Sequence, residues 1–91
     1  AAKAYRGSGR TIACNCAGSE TRAGTVWGSG TYTDDSRICR AAVHAGQIGY
    51  GGGMIRFRMV GPRRSYVKSS SNGVNSSAYG PWQGSFVFVP Y

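Results

Sequence analysis

The side chains best placed to do chemistry are the thiols of Cys14, Cys16 and Cys39, the adjacent carboxyls of Asp34 and Asp35, and the single histidine, His44. A Ser-His-Asp triad needs its histidine within hydrogen-bond reach of the acid. At 1.5 Å of rise per residue, a helix carrying both would set His44 about 13 to 15 Å beyond the aspartates, out of that reach. Two carboxyls flanking a glycosidic bond must face each other across the substrate. Asp34 and Asp35 are neighbours in the chain and Glu20 stands alone, so no catalytic site is expected. The glycines of 49–53 lead into a strand rather than a Lys-Ser/Thr helix, which excludes a phosphate-cradling loop. No cofactor is called for.

Zinc would need four ligands, and the three thiols with His44 could supply them in number. The Cys14-Asn15-Cys16 turn is too tight for the usual knuckle, so no metal site is expected. A disulfide from Cys14 or Cys16 to Cys39 fits better, leaving the other cysteine as a free thiol. Closing a loop of that size stabilises a fold by roughly 3 kcal/mol and favours an oxidising compartment, secreted, periplasmic or at the cell surface.

A chain of 91 residues holds one core, and one this small gains much from a cross-link. Its eleven Lys and Arg against three Asp and Glu give a charge of +8, which suits anionic partners. Nine of the eleven are Arg, the type that grips carboxylate, phosphate or sulfate with two parallel bonds. Arg56, Arg58, Arg63, Arg64, Tyr66 and Lys68 could also face a single-stranded nucleic acid, but the bases are dispersed and the disulfide points outside the cell, so that partner is not favoured. No apolar run approaches the ~18 residues of a transmembrane segment, and Ala1-Ala2 is the small-residue start that a signal peptidase leaves, so the chain reads as mature and soluble. Asn75-Ser76-Ser77 fits a glycosylation acceptor triplet.

Residues 1–9 read as a lead-in and 10–91 as the domain. Alternation places Ile12, Cys14 and Cys16 on one face of a strand over 11–16, and Trp27 ends a short strand, where it is expected in the core. Asp34 and Asp35 look like N-caps, Gly46 like a C′ residue and His44 like the cation that completes the dipole of a helix over 36–45. Its many small side chains let strands come close. In the strand 54–60, Ile55, Phe57 and Met59 oppose Arg56 and Arg58. Asn72-Gly73 marks a turn and 85–89 a last strand. Short strands with one helix and fifteen glycines make an α+β domain, a sandwich or roll around one central helix.

The run Val26-Trp27-Gly28-Ser29-Gly30-Thr31-Tyr32-Thr33-Asp34-Asp35-Ser36-Arg37-Ile38-Cys39-Arg40-Ala41-Ala42-Val43-His44-Ala45-Gly46 resembles the LCCL domain family, and so do Gly52-Gly53, Tyr66, Lys68-Ser69, Asn72-Gly73-Val74, Tyr79, Trp82 and Ser85-Phe86, in order. The resemblance spans about residues 10–89. It implies a helix wrapped by strands, with its cysteine bonded to an upstream one, Cys16 by preference over Cys14. Two disulfides mark the animal pattern, so three cysteines suggest a bacterial-type member. The family implies a non-catalytic extracytoplasmic module that binds lipopolysaccharide, other anionic glycans or lipid head groups. Arg56, Arg58, Arg63, Arg64 and Lys68 are the expected contacts. The alternative is a protein-interaction or structural subunit of a secreted or envelope assembly, possibly a hydrolase inhibitor, with another protein as its partner. Because close approach to the helix rests on small side chains, Ala42→Leu should overpack and cost about 1 to 3 kcal/mol, read by thermal unfolding; an unchanged midpoint would contradict it.

Overall fold

In the computed structural model, which describes residues 2–90, the chain runs β1 (Thr11–Ala17), β2 (Gly28–Ser29), β3 (Thr31–Thr33), α1 (Ile38–His44), β4 (Gly52–Val60), β5 (Ser70–Ser71), β6 (Val74–Asn75) and β7 (Ser85–Phe88). Ala1 of the Ala1-Ala2 start and Tyr91 at the end of the domain lie outside the described residues. The fold is α+β, one helix with antiparallel strands in the order β1-β4-β7-β3-β2, and a separate β5-β6 pair. No helix among the described residues is long and apolar enough to cross a membrane.

The alternation along β4 sets the layers. Ile55, Phe57 and Met59 are buried, while Arg58 on the opposite face is exposed and Arg56 half-buried. β1 pairs with β4 along its whole length, from Thr11 opposite Arg58 to Ala17 opposite Gly52. β7 adds Phe86 beside Met59 and Phe88 beside Phe57. Helix α1 contributes Ala41, Ala42 and Val43 to this core, which also takes in Tyr32, Val26, Val74 and Ala2. Ala2 belongs to a 3₁₀ turn over Ala2–Tyr5, so part of the 1–9 segment packs into the core.

From Arg56 to Val89 the chain is one long antiparallel hairpin. Val89 N–H donates to the Arg56 carbonyl, and β4 and β7 pair from Phe57–Phe88 to Val60–Ser85. The same register reappears at Arg63–Trp82, Tyr66–Tyr79 and Ser69–Ser76, and then at Ser70–Asn75 and Ser71–Val74. Pro62 and Pro81, which cannot donate to a ladder, lie in the interrupted middle, where the ribbon leaves the sheet. Its tip is Asn72-Gly73, both at positive φ (53° and 79°), as a type I′ turn demands. That tip reaches the far end of the helix, where Asn72 Nδ2 donates to the His44 carbonyl at 3.1 Å.

The helix is shorter than its sequence suggests and capped differently. Its N-cap is Arg37, which makes no side-chain cap bond, so the reading of Asp34 and Asp35 as N-caps is corrected. The Arg37 N–H instead donates to the Thr25 carbonyl. Gly46 does occupy the C′ place: its N–H donates to Val43 O and that of Gln47 to Ala42 O, the two bonds of a Schellman motif. The disulfide joins Cys16 to Cys39, with Cα atoms 5.6 Å apart, and Cys14 is free. It fastens α1 to β1.

The tip turn yields a test. An alanine at Gly73 would be held at a left-handed φ of 79°, with its Cβ 2.7 Å from the Tyr50 hydroxyl. Gly73→Ala should cost about 1 to 2 kcal/mol. Thermal unfolding should show this as a midpoint lowered by about 4 to 8 °C for each kcal/mol.

Candidate functional site

Asp34, immediately after β3, is fully buried, and three N–H donors from two side chains converge on its carboxylate. Arg6 grips it with two bonds, Nε to Oδ2 at 2.6 Å and a terminal nitrogen to Oδ1 at 2.7 Å, while Trp82 Nε1 donates to Oδ1 at 2.8 Å. Burial would raise this carboxyl, but the bonds from Arg6 and Trp82 and the nearby charges of Arg6 and Lys3 outweigh it and hold the group below its ordinary value. Gly84 covers the pair closely, since a Cβ there would stand 2.2 Å from Asp34 Oδ2. Asp35 has a separate task, accepting a 2.5 Å bond from the Thr33 hydroxyl. Nothing in the sequence near Asp34 announces Arg6 or Trp82, which lie 28 and 48 residues away.

His44, read as the C-terminal cap that completes the helix dipole, stands in the last turn but is a buried hub. Nδ1 lies 2.9 Å from the Tyr32 hydroxyl, and Nε2 lies 3.1 Å from Ser69 Oγ and 3.3 Å from the Ser69 carbonyl. The proton positions follow from the partners. Ser29 Oγ donates to Val67 O at 2.7 Å, so at 2.6 Å it accepts from Ser69 Oγ. Ser69 then offers His44 only acceptors, and Nε2 must carry the proton. Burial, partly offset by a backbone bond at Gly30, pushes the Tyr32 hydroxyl above its ordinary value, so it keeps its proton and can donate to Nδ1 of a neutral imidazole. In the neutral imidazole the free lone pair of His44 faces Tyr32, not Ser69. This is the reverse of a general base activating a serine.

The three thiols and His44 do not assemble a metal site. Cys16 and Cys39 are bonded to each other, and both His44 nitrogens are engaged. Cys14 lines a cleft of about 740 Å³ with Cys39, Glu20, Lys3, Asp35 and Arg37. Burial, and then the Glu20 carboxylate, pushes the Cys14 thiol above its ordinary value, which disfavours the reactive thiolate.

The predicted cations fall into separate places. Arg56 and Arg58 stand two residues apart on the outer face of β4, and the Arg56 guanidinium donates to the Pro90 carbonyl. Arg63 and Arg64 lie in the interrupted part of the hairpin, lining a shallow recess of about 400 Å³ with Pro62, Pro81, Trp82 and Gln83. Lys68 is exposed nearer the tip. Trp27, expected in the core, is only half-buried and lies outside the core cluster, as does Trp82.

The Asp34 cluster carries a pH signature. A carboxyl lowered in the folded state contributes stability above its unfolded pKa, and that stability is lost as pH falls through the folded value. Asp34→Asn should therefore cost about 2 kcal/mol at neutral pH in urea unfolding, with the gap from the parent closing in strong acid. Gly84→Ala should show the same narrowing.

The LCCL domain family model matches residues 2–86. Clotting factor C of Tachypleus tridentatus is 39% identical over 69 residues, which are 75% of this chain and 7% of that protein. Vitrin of Mus musculus is 40% identical over 62 residues, 68% of this chain and 10% of vitrin. Cochlin of Bos taurus is 39% identical over 62 residues, again 68% of this chain and 11% of cochlin. The chain thus spans only about a tenth of the length of these relatives. The matched stretch takes in the Arg6–Asp34–Trp82 cluster, the disulfide-tied helix and nearly all of the hairpin, and by that match the chain belongs to the LCCL domain family.

Proposed function

We propose that the domain is a non-catalytic extracytoplasmic module that binds anionic surface material, such as lipopolysaccharide, acidic glycan or anionic lipid head groups, through Arg56, Arg58, Arg63, Arg64 and Lys68. One observation carries the reading: the hairpin from Arg56 to Val89 contains these five bases and no Asp or Glu. The three acids of the chain all lie before it. Of them, Asp34 is buried against Arg6, and Glu20 accepts a bond from the Ala17 N–H. Arg58, Arg63, Arg64 and Lys68 are exposed and Arg56 is half-exposed. The Cys16–Cys39 bond suits an oxidising compartment, and the proton arrangement at His44 suits a structural rather than a catalytic histidine.

Charge-driven binding weakens with salt because counterions screen exposed charges. Retention on immobilised heparin, and affinity for lipopolysaccharide or phosphatidylglycerol vesicles, should fall about tenfold or more between low and high ionic strength. Arg63→Gln with Arg64→Gln, or Arg56→Gln with Arg58→Gln, should weaken binding at low salt and flatten that dependence. Affinity that ignores both salt and these substitutions defeats the proposal.

A further inference from the structure

The two edges of the five-stranded sheet differ. β2 is two residues long, and Ser77 covers it: the Gly28 N–H donates to the Ser77 carbonyl at 2.9 Å, and the Ser77 N–H to the Val26 carbonyl at 2.8 Å. β1 is seven residues long and pairs with β4 alone. Neighbouring bonds fix the direction of its remaining groups. Met59 N–H donates to the Arg10 carbonyl, so by alternation residues 10, 12 and 14 bond toward β4. Arg56, opposite Ala13, accepts from Val89 N–H on the β7 side, which fits the same alternation. The N–H and C=O groups of Thr11, Ala13 and Asn15 therefore point away from the sheet, and no bond from another described residue occupies them. The Ala17 N–H is taken by Glu20, which ends the open stretch. Natural proteins blunt such edges with charge, proline or a bulge. Thr11–Ala17 carries no charged residue and no proline, and its seven pairs with β4 run unbroken. Thr11, Ala13 and Asn15 are all exposed.

We propose that the open edge of β1 receives an extended acidic segment of another polypeptide as a sixth strand of the sheet. The ligand that matches N–H and C=O groups recurring at every second residue is another extended backbone. Space and charge lie on both sides of the edge. Toward the helix, the cleft of about 740 Å³ touches the strand at Cys14 and Asn15 and carries Lys3, Glu20, Asp35 and Arg37. Its two carboxylates are engaged, Glu20 by the Ala17 N–H and Asp35 by the Thr33 hydroxyl, whereas neither Lys3 nor Arg37 makes a side-chain hydrogen bond to a described residue. On the outer face, exposed Arg58 stands beside Thr11. Side chains alternate along an added strand, so one set would meet Lys3 and Arg37 and the other Arg58. The charge of +8 attracts an acidic segment and repels a second copy of the chain. This edge is separate from the Arg63–Arg64 recess, and it adds a polypeptide partner to the anionic reading without resting on it.

The probe is a short end-blocked peptide alternating Thr and Glu. Its control is the same peptide with every amide N-methylated, which keeps the side chains and the charge but cannot donate. Hydrogen exchange at the Thr11, Ala13 and Asn15 amides of the whole domain should slow about tenfold or more at saturating peptide, while Ile12 and Cys14, already bonded to β4, change little. The methylated control should protect none of the three and bind about tenfold more weakly. Ala13→Pro removes one outward donor at a place where a sheet tolerates proline, and should weaken the peptide about tenfold while leaving heparin retention unchanged. If that variant unfolds, the methylated control carries the test on the unaltered domain. Equal affinity for both peptides, or none for either at millimolar concentration, overturns the added strand and leaves the anionic reading standing. Protection of the three amides without peptide, together with a dimer in sedimentation, gives the edge to a second copy and overturns the proposal as well.

Discussion

The hairpin from Arg56 to Val89 keeps one register from its base in the sheet to its tip, and the rest of the domain depends on that register. Side chains alternate across a strand, so a slip of one residue would turn Phe57 and Met59 outward and drive Arg56 and Arg58 into the core. The Asn72-Gly73 turn fixes the register at one end, and the pairing of β4 with β7 against the buried Phe86 fixes it at the other. Between them the ribbon leaves the sheet where the two prolines interrupt its ladder. It then reaches the helix, burying Val74 and placing Asn72 on the last helical carbonyl. One local choice of turn thus governs the sheet core, the helix end and the position of five cations.

Much of this was legible from local pattern. The period-2 alternation in β4, the Asn-Gly turn and the glycine after the helix each report a backbone requirement that neighbouring residues set. What escaped was long-range and polar. Asp34 and Asp35 in front of an apolar run look like caps, yet Asp34 is committed to Arg6 and Trp82, and no local periodicity encodes those partners. His44 has the residue type of a helix-end cation, but Tyr32 and Ser69 reach it from distant strands and loops. Trp27 was misplaced because aromatic size favours a core without requiring one. Cys14 and Cys16 share a face of β1, so alternation could not choose between them; Cys16 is the buried one and meets Cys39. As for the candidate site, the cations were readable as types, but not their division between the outer sheet face and the Trp82 recess.

The polar interior divides its labour in a way that bears on function. Asp34 and His44, two of the groups most apt for catalysis, are both enclosed by hydrogen-bond partners, and both hold distant segments together. Arg6 joins the start of the chain to the turn after β3, and Ser29, Ser69 and Ser76 link β2 to both arms of the hairpin through short hydroxyl contacts. Such groups stabilise one arrangement because any shift leaves a buried polar atom unpaired. At the surface the hairpin presents cations and partly exposed aromatic rings.

The Cys16–Cys39 bond closes the intervening chain into a covalent ring, and residues 22–25 within that ring are all exposed, with Arg22 among them. A trypsin-like protease cutting there would open the ring without separating the molecule, because both pieces would remain joined through sulfur. β1 lies before such a nick and the helix, hairpin and remaining strands after it, although the Thr25 carbonyl that accepts from Arg37 N–H lies within the exposed stretch. The bond therefore acts as a second path of chain connectivity around an exposed stretch of the first.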